Sequence, residues 1–239
     1  MNKVALITGG AKRIGRAIAL HLAKNGWDLA IHYNSSKEAI SELELELKAI
    51  YPNQRFASFK ADLGAAEKAS ELVANVVERM GSIDLLINNA SIFDSSLLKN
   101  SSNDLILHHT MVNYIAPFIL MRDFANSTKQ GLIVNLLDTR ITKNKSDYLA
   151  YSLSKKALFE LTKMAAFELA PAIRVNGISP GAVLPPEDKD DAYLDQLALK
   201  TPMKTPSGLL AILKSLDFIL DNQDLTGQVI FCDGGEHLI

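Results

Sequence analysis

Residues 3–15 read Lys3-Val4-Ala5-Leu6-Ile7-Thr8-Gly9-Gly10-Ala11-Lys12-Arg13-Ile14-Gly15, and the order of these parts decides the fold. The run from 3 to 8 is apolar without alternation, as in a strand buried on both faces of a parallel sheet. After the glycines, Ile14, Ala17, Ile18, Ala19 and Leu22 recur at helical spacing as far as Asn25-Gly26, a C-terminal stop. Strand, glycine turn and helix is the unit that presents main-chain N–H groups and a helix N-terminus to a phosphate. The spacing is T-G-x-x-x-R-I-G, with Arg13 where a middle glycine often sits. A tight turn without a ligand is the plainer reading, but the flanking strand and helix favour a nucleotide.

The next strand, Trp27 to Tyr33, bears on the choice of cofactor. An Asp or Glu at its end would accept from the ribose 2′-hydroxyl of NAD. Here His32-Tyr33-Asn34-Ser35-Ser36-Lys37 offers no acid before Glu38. Hydroxyl and amide donors, with Arg13 and Lys37 nearby, suit the 2′-phosphate of NADP. The alternative is an ordinary polar loop.

The same alternation continues. A helix is predicted over 36–50, a strand over 55–60, a helix over 65–80 and a strand over 83–87. The last of these ends in Asn88-Asn89-Ala90-Ser91, at the carboxyl edge where open α/β sheets bind ligands. Asp62 either caps an adenine amino group or serves as a helix N-cap. A long helix from Asn103 to about Thr128 contains Pro117, which has no N–H to give the carbonyl of Asn113. It should bend there and leave that carbonyl free to hold a water. Neighbouring His108 and His109 cannot face one metal from a helix, so they are read as solvated or packed, and no metal is expected.

A fifth strand, Gly131 to Leu137, ends at Asp138. The helix beyond it carries Tyr151 and Lys155 at i and i+4, on one face and one turn apart. A phenol has an unperturbed pKa of about 10. An ammonium beside it would favour the phenolate and ease proton exchange, making a general-acid pair. The same helix is rich in Ala157, Leu158, Leu161, Met164, Ala165 and Phe167, more apolar surface than one sheet contact needs, which points to a partner subunit. A sixth strand (173–178) leads into Ser179-Pro180-Gly181. The stretch 182–206, with acidic Glu187 to Asp191, reads as a substrate lid or as solvated surface. A helix over 207–220 and a strand over 228–232 close the pattern before Asp233-Gly234-Gly235.

With 239 residues, 22% of them charged, and a net charge of −2, the chain shows no signal for nucleic acid or an anionic membrane. No apolar run approaches a membrane span. The single Cys232 excludes an internal disulfide framework. The N-terminal run reads as a strand and not a leader, so a cytoplasmic location is expected. No linker, repeat or low-complexity segment appears, and residues 1–239 are read as one domain.

Taken in order, Thr8-Gly9…Gly15, Asp62, Asn88-Asn89-Ala90, Asn113, Tyr151-x-x-x-Lys155, Pro180-Gly181 and Asp233-Gly234-Gly235 resemble the short-chain dehydrogenase/reductase family over essentially the whole chain. The resemblance implies a single-domain, doubly wound Rossmann fold of class α/β, its seven-stranded parallel sheet flanked by helices. It also implies hydride transfer from a nicotinamide. Tyr151 would be the acid, Lys155 would bind the nicotinamide ribose and lower the Tyr151 pKa, and Asn113 would hold a relay water. NADP would lie against Gly9, Arg13, Ile14 and Gly15, then Asn34, Ser35 and Ser36, then Asp62 and Leu63. Asn89, Ala90, Ser91, Tyr151, Lys155, Pro180 and Gly181 would complete its site. Family members commonly pair the Tyr151 and Asn113 helices in tetramers, so a homotetramer is expected.

One departure is informative. Thirteen residues before the tyrosine the family usually has a serine that hydrogen-bonds a substrate carbonyl, and here stands Asp138. An ionised carboxylate only accepts and would repel a developing ketone oxyanion. Reduction of a C=N bond differs, because nitrogen takes a proton. The pteridine reductases and dihydromonapterin reductases share this aspartate. They are also similar in T-G-G-A-K-R-I-G, in the H-Y after the second strand, and in N-N-A-S-x-F, here Asn88 to Phe93. In that group the positions of Ser91 and Phe93 hold the pterin, the ring by stacking; Phe93 as plain packing is the alternative. The expected substrate is therefore a dihydropterin (dihydromonapterin, dihydrobiopterin or dihydrofolate) contacted by Ser91, Phe93, Asp138 and Tyr151. Rival readings are a reductase of ketones or 3-oxoacyl thioesters and a non-catalytic nucleotide-binding module.

Overall fold

The computed structural model describes residues 2–186 and 190–239. Four-residue β1 (Val4–Ile7) is wholly buried, because both its faces meet helices. It lies between β2 (Asp28–Tyr33) and β4 (Leu85–Asn88), with Ile7 level with Ile31 on one side and Ile87 on the other. With β3 (Phe56–Lys60), β5 (Gly131–Leu136), β6 (Ile173–Pro180) and β7 (Val229–Cys232) it forms one parallel sheet in the order β3-β2-β1-β4-β5-β6-β7. The winding reverses between β1 and β4, which opens a crevice at the carboxyl ends of those strands.

Alternate strand residues feed two cores. Ala5 and Ile7 pack under α1 (Arg13–Lys24), α2 (Lys37–Ile50) and, farther along the sheet, α8 (Leu209–Asp221). Val4 and Leu6 face α3 (Ala66–Met80) and the helices that follow β4 and β5. Period-2 alternation inside strands with no polar face is what a sheet covered on both sides demands.

The long bent helix resolves into α4 (Asn103–Thr110), a π-helical turn at Met111–Ile115 and α5 (Ala116–Ser127). Ala116 donates its N–H to the carbonyl of Met111 across the wider turn. Pro117, without an N–H for Asn113, accounts for the wider ring at this point. The catalytic-helix candidate is α6 (Leu149–Leu169), preceded by a 3₁₀ turn at Thr139–Thr142. Within the polar stretch 182–206, α7 (Asp191–Ala198) buries Leu194 and Ala198. Of the acidic run considered as a lid, Glu187, Asp188 and Lys189 lie outside the described residues. A final 3₁₀ turn spans Glu236–Leu238. Among the described residues no helix is long and apolar enough to cross a membrane.

Candidate active site

The glycine turn is held from three directions. Gly9 adopts φ +61°, and a Cβ there would come within 3.0 Å of the Ala90 backbone. A Cβ on Gly15 would stand 2.2 Å from the Gly9 carbonyl, so the helix can start this close only with glycine. Asn89 donates its side-chain amide to the Thr8 and Gly9 carbonyls, and Thr8 Oγ1 accepts the N–H groups of Asn89 and Ala90. Buried His32 completes the clamp. Its Nδ1 accepts the Gly9 N–H at 3.1 Å, so Nε2 carries the proton and faces the Ala61 carbonyl, also at 3.1 Å. Burial lowers the imidazole pKa and favours this neutral form.

Beside the turn runs a cleft of about 360 Å³ bordered by Gly9, Gly15, Asn34, Ser35, Ser36, Asp62, Leu63 and Ala90. Asp62 accepts the Gly64 N–H in a local turn, whereas the N-cap of α3 is Ala65; the N-cap alternative is therefore excluded. Arg13 departs from expectation. Its φ is +53°, and its guanidinium donates to the carbonyls of Pro185 and Leu184 at 3.0 and 3.3 Å. The structure does not bring that group to the end of β2, and Lys37 does not border the cleft. Asn34, Ser35 and Ser36 remain as the donors there.

The cleft shares Arg13, Ile14, Asn89 and Ser91 with a second cavity of about 660 Å³, which gathers Phe93, Asp138, Tyr151, Lys155, Pro180 and Gly181. Here the Tyr151 hydroxyl donates to Asp138 Oδ2 at 2.8 Å. Asp138 caps the 3₁₀ turn, taking the Arg140 N–H on Oδ1 at 2.8 Å, with the Arg140 guanidinium 3.4 Å away. Lys155 Nζ, fully buried, donates to the Leu136 carbonyl at 2.7 Å and lies 5.9 Å from the Tyr151 ring centre.

These distances overturn one sequence expectation. Burial, then the charge of Asp138 and its hydrogen bond, raise the Tyr151 pKa well above 10, with Arg140 opposing. Lys155 does not offset this: the carboxylate touches the phenol, while the ammonium is held at a main-chain carbonyl. Burial pulls Lys155 itself down to about 8, against the Asp138 charge. A phenol so placed is a poor acid at rest. It gives up its proton when a stronger base forms beside it.

Asn113 borders neither cavity. Its buried side chain accepts from Ile92 N–H and the Ser91 hydroxyl and donates to the Ile92 carbonyl and the Ser154 hydroxyl. It thereby fixes the turn that aims Ser91 and Phe93. His109 is buried, accepting the Asp94 N–H, while His108 is exposed.

Phe93, 48% exposed, stacks on Tyr148 with centroids 4.1 Å apart and meets Tyr151 edge-to-face at 4.6 Å. The Arg140 guanidinium is nearly equidistant from the Phe93 and Tyr148 centres, at 5.1 and 5.2 Å, hence beside the pair. The loop is tied to α6 through Ser96, which exchanges main-chain bonds with Asp147 and Leu149 and accepts the Ala150 N–H. Tyr148, Arg140 and the His32 clamp join the site only in the fold: Tyr148 lies just ahead of α6, and the other two act on residues far from them in the chain. A further set came from far along the chain. Thr139 donates to buried Asp233, 94 residues away, which also binds the His237 N–H and ring. This pins the Glu236–Leu238 turn against the cavity.

A family model described as short chain dehydrogenase matches residues 3–192. Among curated proteins, the 3-oxoacyl-[acyl-carrier-protein] reductase FabG of Staphylococcus epidermidis is 29% identical over the full length of both chains. Among solved structures, FolM alternative dihydrofolate reductase 1 of Brucella canis, complexed with NADP, superposes with TM-score 0.91 at 35% identity, covering 100% of this chain and 95% of that one. Its Brucella suis counterpart, also with NADP, gives 0.90 at 33%, covering 99% and 96%.

Proposed function

This chain belongs to the short chain dehydrogenase family, and from that premise we propose that it is an NADPH-dependent reductase of the C=N bond of a dihydropterin. The observation that carries this reading is the 2.8 Å hydrogen bond from Tyr151 to Asp138. A ketone reduced here would develop negative oxygen against a carboxylate. A ketone oxygen has two lone pairs to satisfy and finds a single donor beside that carboxylate, whereas N5 of a dihydropterin has one lone pair, which the Tyr151 phenol fills by protonation as the hydride arrives. The solved relatives named for dihydrofolate reduction support the same choice.

The cleft fits NADP, because hydroxyl and amide donors and no carboxylate stand at the end of β2. Asn34, Ser35 and Ser36 would hold the 2′-phosphate, the N–H groups of the Gly9–Gly15 turn the pyrophosphate, and Lys155 the nicotinamide ribose. When bound, the cofactor supplies a hydride to C6 of the substrate. Phe93, backed by Tyr148, offers a flat wall for the pterin. Tyr151 delivers its proton to N5, and Arg140 keeps Asp138 in place beside it.

Side-by-side NADPH oxidation assays test the proposal. Dihydromonapterin, dihydrobiopterin or dihydrofolate should be consumed, with NADH at least about tenfold less efficient, as expected for a lost charge-assisted contact. Consumption of 3-oxoacyl thioesters alone, the activity in the name of the FabG relative, would refute it. NADPH binding without any turnover would return the non-catalytic reading.

The ionisation of Lys155 sets a pH dependence. Below about 8 its ammonium is charged and can donate to the ribose hydroxyls; above, the neutral amine binds them less well. kcat/KM for NADPH should therefore fall as pH rises through about 8. A flat profile from pH 7 to about 9.5 would show that Lys155 is not the ribose ligand.

We also place the protein in the cytoplasm as a homotetramer. The outer face of α6 exposes Leu153, Met164 and Phe167, the last 91% exposed, and Leu107 and Phe118 on α4 and α5 are likewise uncovered. Light scattering at micromolar concentration should report four copies; a monomer would reject the assignment.

A further inference from the structure

The Glu236 carboxyl has no role in the chemistry above, yet it borders the same cavity as Asp138 and Tyr151. It is half-buried, and among the described residues no hydrogen bond engages its side chain. Two features hold it in place. Its turn is pinned by Asp233, which binds Thr139 Oγ1 and the His237 N–H, both at 2.8 Å, and Lys143 Nζ grips the Glu236 carbonyl. Gly181 supplies the space, since a Cβ there would lie 3.3 Å from Glu236 Oε2 and 3.1 Å from the Asp233 backbone. Burial and the charge of Asp138 raise the carboxyl's pKa, as they would for a group facing that aspartate across a shared space. Arg140 and Lys143, which border the same cavity, oppose the rise, and the charge of Asp233 adds to it.

Resting on the dihydropterin reading, we propose that Glu236 is a substrate-specificity residue that binds hydroxyl groups on the C6 side chain of the pterin. If N5 faces Tyr151 and Asp138, C6 is the next ring atom, so its substituent leaves the ring on the Asp138 side of the cavity. Glu236 borders the cavity close enough to feel the Asp138 charge, and its carboxyl is unengaged among the described residues. A carboxyl there accepts from neighbouring hydroxyls, as a polyhydroxyalkyl chain presents them. It offers nothing to an unsubstituted ring.

The test compares three proteins and two substrates. Wild type, Glu236→Ala and Glu236→Gln are assayed with a 7,8-dihydropterin carrying a trihydroxypropyl group on C6 and with 7,8-dihydropterin bearing only hydrogen there. Expected is a loss of kcat/KM in Glu236→Ala at least about tenfold greater for the hydroxylated substrate, mostly through KM, the size lost with a hydrogen bond to a charged group. Glu236→Gln, which keeps an accepting oxygen, should recover part of it. NADPH affinity, measured by fluorescence, reports whether the cofactor site survives each change. Equal losses on both substrates, or none, would overturn the inference while leaving the pterin reading intact. A wild type that turns over neither substrate removes the pterin reading and the role of Glu236 with it.

Discussion

Replacing Tyr151 with phenylalanine should lower dihydropterin turnover by about two orders of magnitude or more, the usual worth of a positioned proton donor. The substitution removes the hydroxyl that donates to Asp138 Oδ2 and leaves the ring to meet Phe93 edge-to-face at 4.6 Å. Asp138 keeps its bond from the Arg140 N–H, so the 3₁₀ turn should hold and the thermal unfolding midpoint should move little. The loss should appear in kcat more than in KM, because the proton is needed only as the hydride arrives. An unchanged kcat in a folded variant would end the mechanism.

Asp138→Ser should be nearly as damaging to dihydropterin reduction, by ~100-fold, and should change the character of the site. The carboxylate both orients the Tyr151 hydroxyl and raises its pKa. Without it the phenol becomes a stronger acid in the ground state. The guanidinium of Arg140 loses its ion-pair partner and is free to swing from its position beside Phe93 and Tyr148. A serine hydroxyl can donate to a ketone oxygen where aspartate cannot, so weak activity on 3-oxoacyl or simple ketone substrates should emerge. Dihydropterin rates that survive the change would show that Asp138 is not what selects C=N chemistry.

Much of this protein is readable in its sequence, because the decisive signals are local. An unalternated apolar run followed by Thr8-Gly9 and an amphipathic helix predicts β1, its turn and α1. The structure has them at Val4–Ile7 and Arg13–Lys24. Four-residue spacing alone puts Tyr151 and Lys155 on one face of α6, and Pro117 alone announces a break, realised as a π-helical turn. Backbone hydrogen bonding and side-chain periodicity act within a turn or a pleat, so a reader of neighbours can see them.

The charge state of the site was decided elsewhere. Whether Tyr151 is a stronger or weaker acid than a free phenol depends on which group is nearer, and the fold puts Asp138 at 2.8 Å and sends Lys155 to the Leu136 carbonyl. Arg13 illustrates the same point: its position in the glycine turn is plain, but its guanidinium follows the carbonyls of residues 171 and 172 places on. His32 becomes a clamp on Gly9 only because β2 lies beside β1, and the Glu236 turn reaches the cavity only through Thr139 and Asp233. Electrostatic and hydrogen-bond energies change steeply over an ångström or two. Distances of that precision between residues far apart in the chain exist only once the tertiary structure has formed.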